Sequence, residues 1–230
     1  MTPPLASTTL LHIGPVPVSR TVVTTWAVML VLTLGSALTT RRLALAPTRL
    51  QSVLELIIST FQSQVRETMR VTPTPYLPLI ATLFIFILAA NWSSIVPGVE
   101  PPTAHLETDT ALGAVVFFSV MVFGIKVRGV RGYLKSFAEP TILMAPLNFA
   151  EAFTRIFSMI VRLFGNVMSG VFVIGVVLSL AGLIVPIPLM ALDLLTGAIQ
   201  AYIFTVLAMV FIGNAVDERF DSNSKEKQPS

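Results

Sequence analysis

Residues 151–170 read EAFTRIFSMIVRLFGNVMSG, and this stretch decides the fold of the chain. Its polar residues recur every three or four positions, a spacing that places them on one narrow face of an α-helix. They are Glu151, Arg155, Ser158, Arg162, Asn166 and Ser169. Because Phe, Ile, Met, Val and Leu cover the other faces, the pattern is typical of a membrane span that lines an aqueous path or touches a charged partner.

Arg162 is the most informative residue of this polar stripe. A guanidinium group stays protonated and cannot neutralise itself to escape lipid. An ionisable residue inside a membrane span therefore indicates a functional site. The alternative is a structural ion pair with Asp193, which lies in the next apolar segment.

The composition is that of an integral membrane protein. Of the 230 residues, 54% are hydrophobic and 12% are charged, whereas soluble domains carry about 25% charged residues. The basic residues lie in short loops between apolar runs, so the pI near 9.6 does not indicate nucleic-acid binding. The sequence has no cysteine and two histidines, which argues against disulfides and transition-metal sites, and we expect no cofactor.

Apolar runs and loops divide the chain into six predicted helices, which form a single membrane domain. We expect an all-α integral membrane protein with five membrane helices and one amphipathic surface helix. The predicted elements are an outer tail at 1–20, spans at 21–40, 76–96 and 110–125, the amphipathic helix at 48–70, the polar-striped helix at 147–180, a last helix at 189–216 and a cytoplasmic tail at 217–230. The N-terminus lacks a basic region before an apolar core, so we expect the first span to insert uncleaved.

The segment 48–70 has apolar residues at helical spacing opposite polar ones, including Glu55 and Glu67. These charges argue against a span and favour a helix at the membrane surface. A packing stripe against the other spans is a second interpretation, and both can hold.

Loop charges predict the orientation of the chain. Basic loops follow the first and third spans, and an acidic loop at 97–109 follows the second. The positive-inside rule places the N-terminus outside and the C-terminus in the cytoplasm. We expect the residues His105, Glu107 and Asp109 of the acidic loop to be solvated.

The last two helices are predicted to form a long tilted hairpin, because 147–180 exceeds the length of a perpendicular span. A turn near Ala181–Gly182 would place Gln200 level with Arg162, and Asp193 level with Ser169. Interhelical hydrogen bonding is the alternative role for Ser158, Asn166 and Gln200. For Glu151 and Arg155 the alternative is a simple interfacial ion pair.

Residues 162–170, RLFGNVMSG, resemble the signature of subunit a of the F-type ATP synthase, and IQAYIF at 199–204 resembles the second signature of that family. PPTAHLETD at 101–109 and GVRGYLKSF at 129–137 are similar to bacterial members. The short N-terminal region is similar to a compact form from alternate synthase operons.

The resemblance implies the stationary ion-channel subunit in a bacterial inner membrane, which is not itself an enzyme. The implied partners are a ring of c subunits against the last two helices, the b-subunit stator, the F1 ATPase sector and the lipid bilayer. Arg162 matches the essential arginine of the family, Gln200 the glutamine that faces it, and Asn166 the polar residue one turn later. Ser158 falls on the cytoplasmic access path.

Two positions depart from the family pattern. Many members have an acidic residue where this chain has Val171, and a histidine or acidic residue where it has Asp193. We therefore expect Asp193, with Ser169 nearby, to serve the outer half-channel. Glu151, Arg155, Ser158 and Asn166 are expected to serve the inner one. A proton is the expected coupling ion and sodium the alternative; a stand-alone transporter is the competing class, although the halves of the chain show no inverted repeat.

Overall fold

The computed structural model describes residues 9–13, 16–40, 49–96, 99–138, 145–182 and 184–216. Within these residues the chain is almost entirely helical, and five helices are long and apolar enough to cross a membrane. The helices are α1 (Arg20–Thr40), α2 (Arg49–Met69), α3 (Leu77–Trp92), α4 (Leu106–Ala138), α5 (Ala145–Ala181) and α6 (Pro186–Val216). The predicted all-α membrane fold is confirmed. The predicted tail 217–230 lies outside the described residues.

A short antiparallel hairpin precedes α1, in the segment that was expected to be an outer tail. Its strands are β1 (Thr9–Ile13) and β2 (Val16–Ser19). Two single turns of 3₁₀-helix, Ser93–Ile95 and Pro102–Ala104, lie between α3 and α4. The second of these turns packs against α5, so the loop between α3 and α4 is part of the helical bundle.

Helix α4 is longer than the predicted span at 110–125. It begins at Leu106 and continues through the basic segment that the sequence suggested was a loop. Gly129 interrupts it with φ of +72° and ψ of 164°, a conformation open to glycine but costly for other residues. The apolar run therefore marks only the central part of a kinked helix, because the basic residues after it are also helical.

The second half of α2 packs against the membrane helices. Phe61, Val65 and Met69 are buried against Met209 and Ile212 of α6. Gln64 Nε2 also donates a hydrogen bond to the Tyr202 hydroxyl of α6 at 2.8 Å. The packing interpretation therefore holds for this half of α2. The first half leaves an apolar surface uncovered: Leu56, Ile57 and Ile58 are exposed.

The central core lies where α3, α4, α5 and α6 meet. Its fully buried side chains include Ile87, Val116, Leu163 and Phe204, one from each helix. Gly113 lets α4 approach α5 closely, because an added β-carbon there would lie 2.6 Å from Ile160 Cγ1. This core fixes which face of α5 is buried and which is free.

The turn of the long hairpin lies between Ala181 and Pro186. Gly182 follows the last residue of α5 with φ of +72°, the left-handed conformation common just after a helix end. Pro186 opens α6, where its fixed φ suits the first helical turn. The turn is thus within a few residues of the predicted position, and the two helices run antiparallel.

Candidate functional site

The polar stripe of α5 lies at the edge of its buried face. Met159, Leu163 and Val167 face the core, whereas Arg162 is exposed among exposed apolar side chains such as Phe157 and Val161. In the described part of the chain, Arg162 forms no ion pair and no hydrogen bond. Its guanidinium is therefore free to meet a partner on the outward face of α5.

Asp193 lies against α5 and not beside Arg162. Its carboxylate occupies the space that a β-carbon at Gly170 would fill. Gly170 is two turns of α5 beyond Arg162, a distance of about 12 Å along the helix. The structural ion pair that was the alternative for Arg162 is absent from the described residues.

Two contacts define the level of Arg162 within the hairpin. The first is the contact of the Asp193 carboxylate with Gly170. The second lies towards the other end of the hairpin, where the Arg155 guanidinium carbon is 5.8 Å from the ring centre of Phe211. Interpolating between these contacts places Arg162 within about one turn of Gln200 along α6. Gln200 itself is 6% exposed and faces the interior. Direct contact between Arg162 and Gln200 stays a prediction.

A cavity of about 170 Å³ opens beside Asp193. The loop between α3 and α4 forms one wall of this cavity, and α5 and α6 form the others. Its polar lining residues include Ser94, Glu100 and Asp193, and Val171 is part of its apolar wall. Asp193 therefore supplies a carboxylate to this cavity, whereas Val171, which also lines it, supplies none.

The residues of the polar stripe in the first half of α5 are exposed. Arg155 and Glu151 form an ion pair one turn apart, and their side chains are 45% and 53% exposed. Ser158 is also exposed, and Asn166 is half-buried. Ser169 donates its hydroxyl to the Asn166 carbonyl at 2.9 Å, one turn back on its own helix. The interfacial ion pair between Glu151 and Arg155 is thus present, and a role in an aqueous path stays a prediction.

Comparison of the sequence with known proteins identifies its family. The family described as ATP synthase A chain matches residues 22–213. The chain belongs to that family. The match spans α2 to α5 completely and omits only the start of α1 and the end of α6. It includes every predicted site residue.

Relatives in the ATP synthase A chain family are similar to this chain over nearly their whole length. "ATP synthase subunit a 2" of Bradyrhizobium sp. is 56% identical over 213 residues, covering 93% of this chain and 96% of the relative. "ATP synthase subunit a 1" of Chlorobaculum parvum is 47% identical, with coverage of 92% and 94%. "ATP synthase subunit a" of Albidiferax ferrireducens is 44% identical, with coverage of 90% of each chain. The resemblance found in the sequence is confirmed.

Asn91, near the end of α3, is a structural residue to which the sequence analysis assigned no role. It is buried, and its Nδ2 donates to the Gly197 carbonyl of α6 at 2.8 Å. Its Oδ1 accepts a hydrogen bond from the Thr103 hydroxyl at 2.6 Å. Asn91 thus joins α3 to the loop between α3 and α4 and to α6. Its contact on α6, Gly197, lies one turn before Gln200. An amide placed at the end of an apolar run was the available signal.

Asp109 is the residue for which the sequence prediction was wrong. It was expected to be solvated, yet it is 0% exposed. Neither carboxylate oxygen has a hydrogen-bond partner among the described residues. The signal was its spacing, because Asp109, Leu112 and Val116 share one face of α4, and all three are buried. Glu107, by contrast, is exposed, and His105 lies 3.5 Å from Glu100 in an ion-pair geometry.

Proposed function

We propose that this chain is the stationary ion-translocating subunit a of a bacterial F-type ATP synthase. As a member of the family it is a multi-pass membrane subunit that takes part in ATP synthesis and ion transport and is not itself an enzyme. The observation that carries the proposal is Arg162, an unpaired cation on the exposed face of a membrane-spanning helix. Such a group requires a negative partner, and the described part of this chain does not supply it.

Arg162 acts on a carboxylate that each c subunit brings past it in the middle of the membrane. A neighbouring positive charge favours the ionised form of a carboxyl group and so promotes release of its proton. Arginine suits this task because it remains charged and its planar fork can bond a carboxylate. The fixed charge also prevents a proton from passing directly between the two half-channels, so transfer requires the ring to rotate.

The outer half-channel begins at the cavity beside Asp193. A proton from outer water protonates the Asp193 carboxylate and then moves to the ionised carboxylate of a c subunit, which leaves Asp193 ready for the next proton. Ser169 lies one residue before Gly170 and supplies a hydroxyl near this transfer. The position of Asp193 on the cavity wall supports this role, because Val171 offers no ionisable group there.

The inner half-channel lies along the other end of the polar stripe. A c-subunit carboxylate that has passed round the ring gives up its proton near Asn166. The proton leaves past Ser158, Arg155 and Glu151 to the cytoplasm. The exposure of the last three residues supports an aqueous exit at this end of α5. Each charge that crosses the membrane potential releases about 2.3 kcal/mol per 100 mV, which drives rotation.

The exposed faces of the chain suit its proposed partners. The c ring packs against the free face of α5, where Phe149, Phe153 and Phe157 are exposed. We assign α1 and the first half of α2 to the b-subunit stator and lipid, because both leave apolar side chains uncovered. In the inner membrane the N-terminus lies outside and the C-terminus in the cytoplasm. The F1 sector is reached through the other subunits.

ATP-driven ion pumping by the whole complex in inverted membrane vesicles tests the proposal. Arg162→Ala should abolish pumping while the subunit remains inserted and assembled, and Arg162→Lys should also fail because lysine lacks the planar fork. Arg66→Ala, which removes an exposed arginine on α2, is the matched control and should pump normally. Full pumping by Arg162→Ala would refute the assignment. The coupling ion is a proton, and strict dependence of pumping on added sodium at fixed pH would replace it with sodium.

A further inference from the structure

Asp109 is a buried carboxyl group that the proposed mechanism leaves without a role. It lies in the first turn of α4, on the face that packs into the central core. Its two carboxylate oxygens find no hydrogen-bond donor among the described residues. An ionised carboxylate is very costly to bury without a partner, so the group is compatible with this site as a neutral acid or when a cation joins it. Such a group is suited to holding a proton temporarily.

The depth of Asp109 follows from the contact between α4 and α5. Gly113 meets Ile160, and the two successive spans run in opposite directions. Asp109 lies one turn before Gly113, which places it level with about Leu163, next to the level of Arg162. Asp193 meets α5 at Gly170, about 10 Å nearer the outer end. Asp109 is therefore the deeper of the two carboxyl groups.

Polar side chains extend from the cavity to the start of α4. Glu100 lines that cavity, and its carboxylate lies 3.5 Å from His105 Nε2. Asp109 follows His105 by one helical turn, and its backbone N–H donates to the His105 carbonyl at 3.4 Å. The buried Gln200 of α6 lies at a similar depth, because Asp109 and Gln200 are each within about one turn of the level of Arg162. The titratable groups on the helices packed against α4 are Glu151, Arg155 and Arg162 of α5, and Asp193 and Tyr202 of α6. Helix α3 carries none.

We propose that Asp109 is a proton-carrying residue of the outer half-channel, placed between the Glu100–His105 pair and the level of Arg162 and Gln200. This inference rests on the proposed function of the chain. One carboxylate oxygen of Asp109 accepts a proton that comes from outer water by way of the cavity. The O–H bond then breaks, and the proton passes towards Gln200 and the ionised carboxylate of a c subunit. Asp109 returns to its ionised form in that step, so no other reactant is needed.

Passive proton conduction separates this role from a packing role. The complete complex is reconstituted in sodium-free vesicles, the F1 sector is removed, and a potassium diffusion potential drives proton uptake. Asp109→Asn keeps the size and polarity of the side chain but cannot carry a proton, so uptake should fall at least about tenfold. Asp109→Glu should restore most of the rate. Glu107→Gln, which makes the same change on the exposed side of the same turn, should conduct as the wild type does.

An infrared measurement keeps the proposal testable if Asp109→Asn fails to assemble. Complexes grown with carbon-13 aspartate give a shifted carbonyl band for each protonated aspartic acid. Asp109→Glu keeps the carboxyl group but removes its label, so one labelled band should disappear. An unchanged labelled spectrum, wild-type proton uptake by an assembled Asp109→Asn complex, or no proton uptake by the wild type would each overturn the role of Asp109. If Arg162→Ala abolishes pumping while Asp109→Asn conducts normally, the inference about Asp109 fails and the proposed function stands.

Discussion

The carboxylate of Asp193 takes the place that a β-carbon at Gly170 would occupy, so the glycine on α5 leaves the space that this acid of α6 fills. This contact links the register of the hairpin to the cavity between α5, α6 and the α3–α4 loop, because Asp193 lines that cavity. Any side chain at position 170 would have to displace the acid or part the helices.

Gly170→Ala should destabilise the subunit and slow pumping. Adding a methyl group to a filled site costs about 1–3 kcal/mol, and here the group displaced is the Asp193 carboxylate. Thermal unfolding of the purified complex and ATP-driven pumping measure the two effects. Gly175→Ala serves as the stability control, because an added β-carbon there meets nothing within 4 Å. Equal stability of the two variants would show that α5 and α6 can move apart freely.

Asp193→Asn should slow ion transport strongly, because Asp193 is the carboxylate of this cavity that contacts α5. Asp193→Glu and Asp193→His should retain much of the rate, since both side chains can accept and release a proton. Initial rates of ATP-driven pumping in vesicles distinguish the three variants. Normal pumping by Asp193→Asn would mean that water or the loop residues suffice on the outer side.

Cysteines introduced as Arg162→Cys and Gln200→Cys should form a crosslink in membranes. The sequence has no native cysteine, so every crosslink reports the engineered pair. The pair at 170 and 193 is the positive control, because these positions touch. The pair at 162 and 193 is the negative control, because about two turns separate their levels. Efficient crosslinking of 162 with 193, and none with 200, would require a different register.

Asn91→Ala should lower the stability of the subunit by about 1–3 kcal/mol, because the Gly197 carbonyl and the Thr103 hydroxyl would lose a buried partner. The thermal midpoint of the purified complex measures this loss. Thr82→Ala is the control on the same helix. Its hydroxyl bonds only the Pro78 carbonyl one turn earlier and is exposed. A similar midpoint for both variants would show that Asn91 does not hold α3 to α6.

Much of the fold and part of the site could be predicted from the sequence because helices impose a strong period. The polar stripe around Arg162 follows from the spacing of its residues. The approximate level of Gln200 follows from the position of the hairpin turn between α5 and α6. Asp109 could not be placed in the same way. Its neighbours in the sequence are those of a polar loop, and its burial depends on α5 packing over the start of α4. The extension of α4 past Gly129 was missed because basic residues suggest a loop even where the backbone stays helical.

Helix α6 packs against α2, α3, α4 and α5, and its contacts run along most of its length. In a rotary machine the stationary part experiences a push equal and opposite to the one that turns the rotor. In the proposed arrangement that push falls on the free face of α5, which is supported by α4, by α6 and by the 3₁₀ turn Pro102–Ala104. Helix α6 distributes this force among the helices that it packs against. The hydrogen bonds from Asn91 to Gly197 and from Gln64 to Tyr202 hold α6 at two levels. On the proposed function, α6 therefore supports α5 against this force, and the stiffness of α6 limits how much torque is lost as bending.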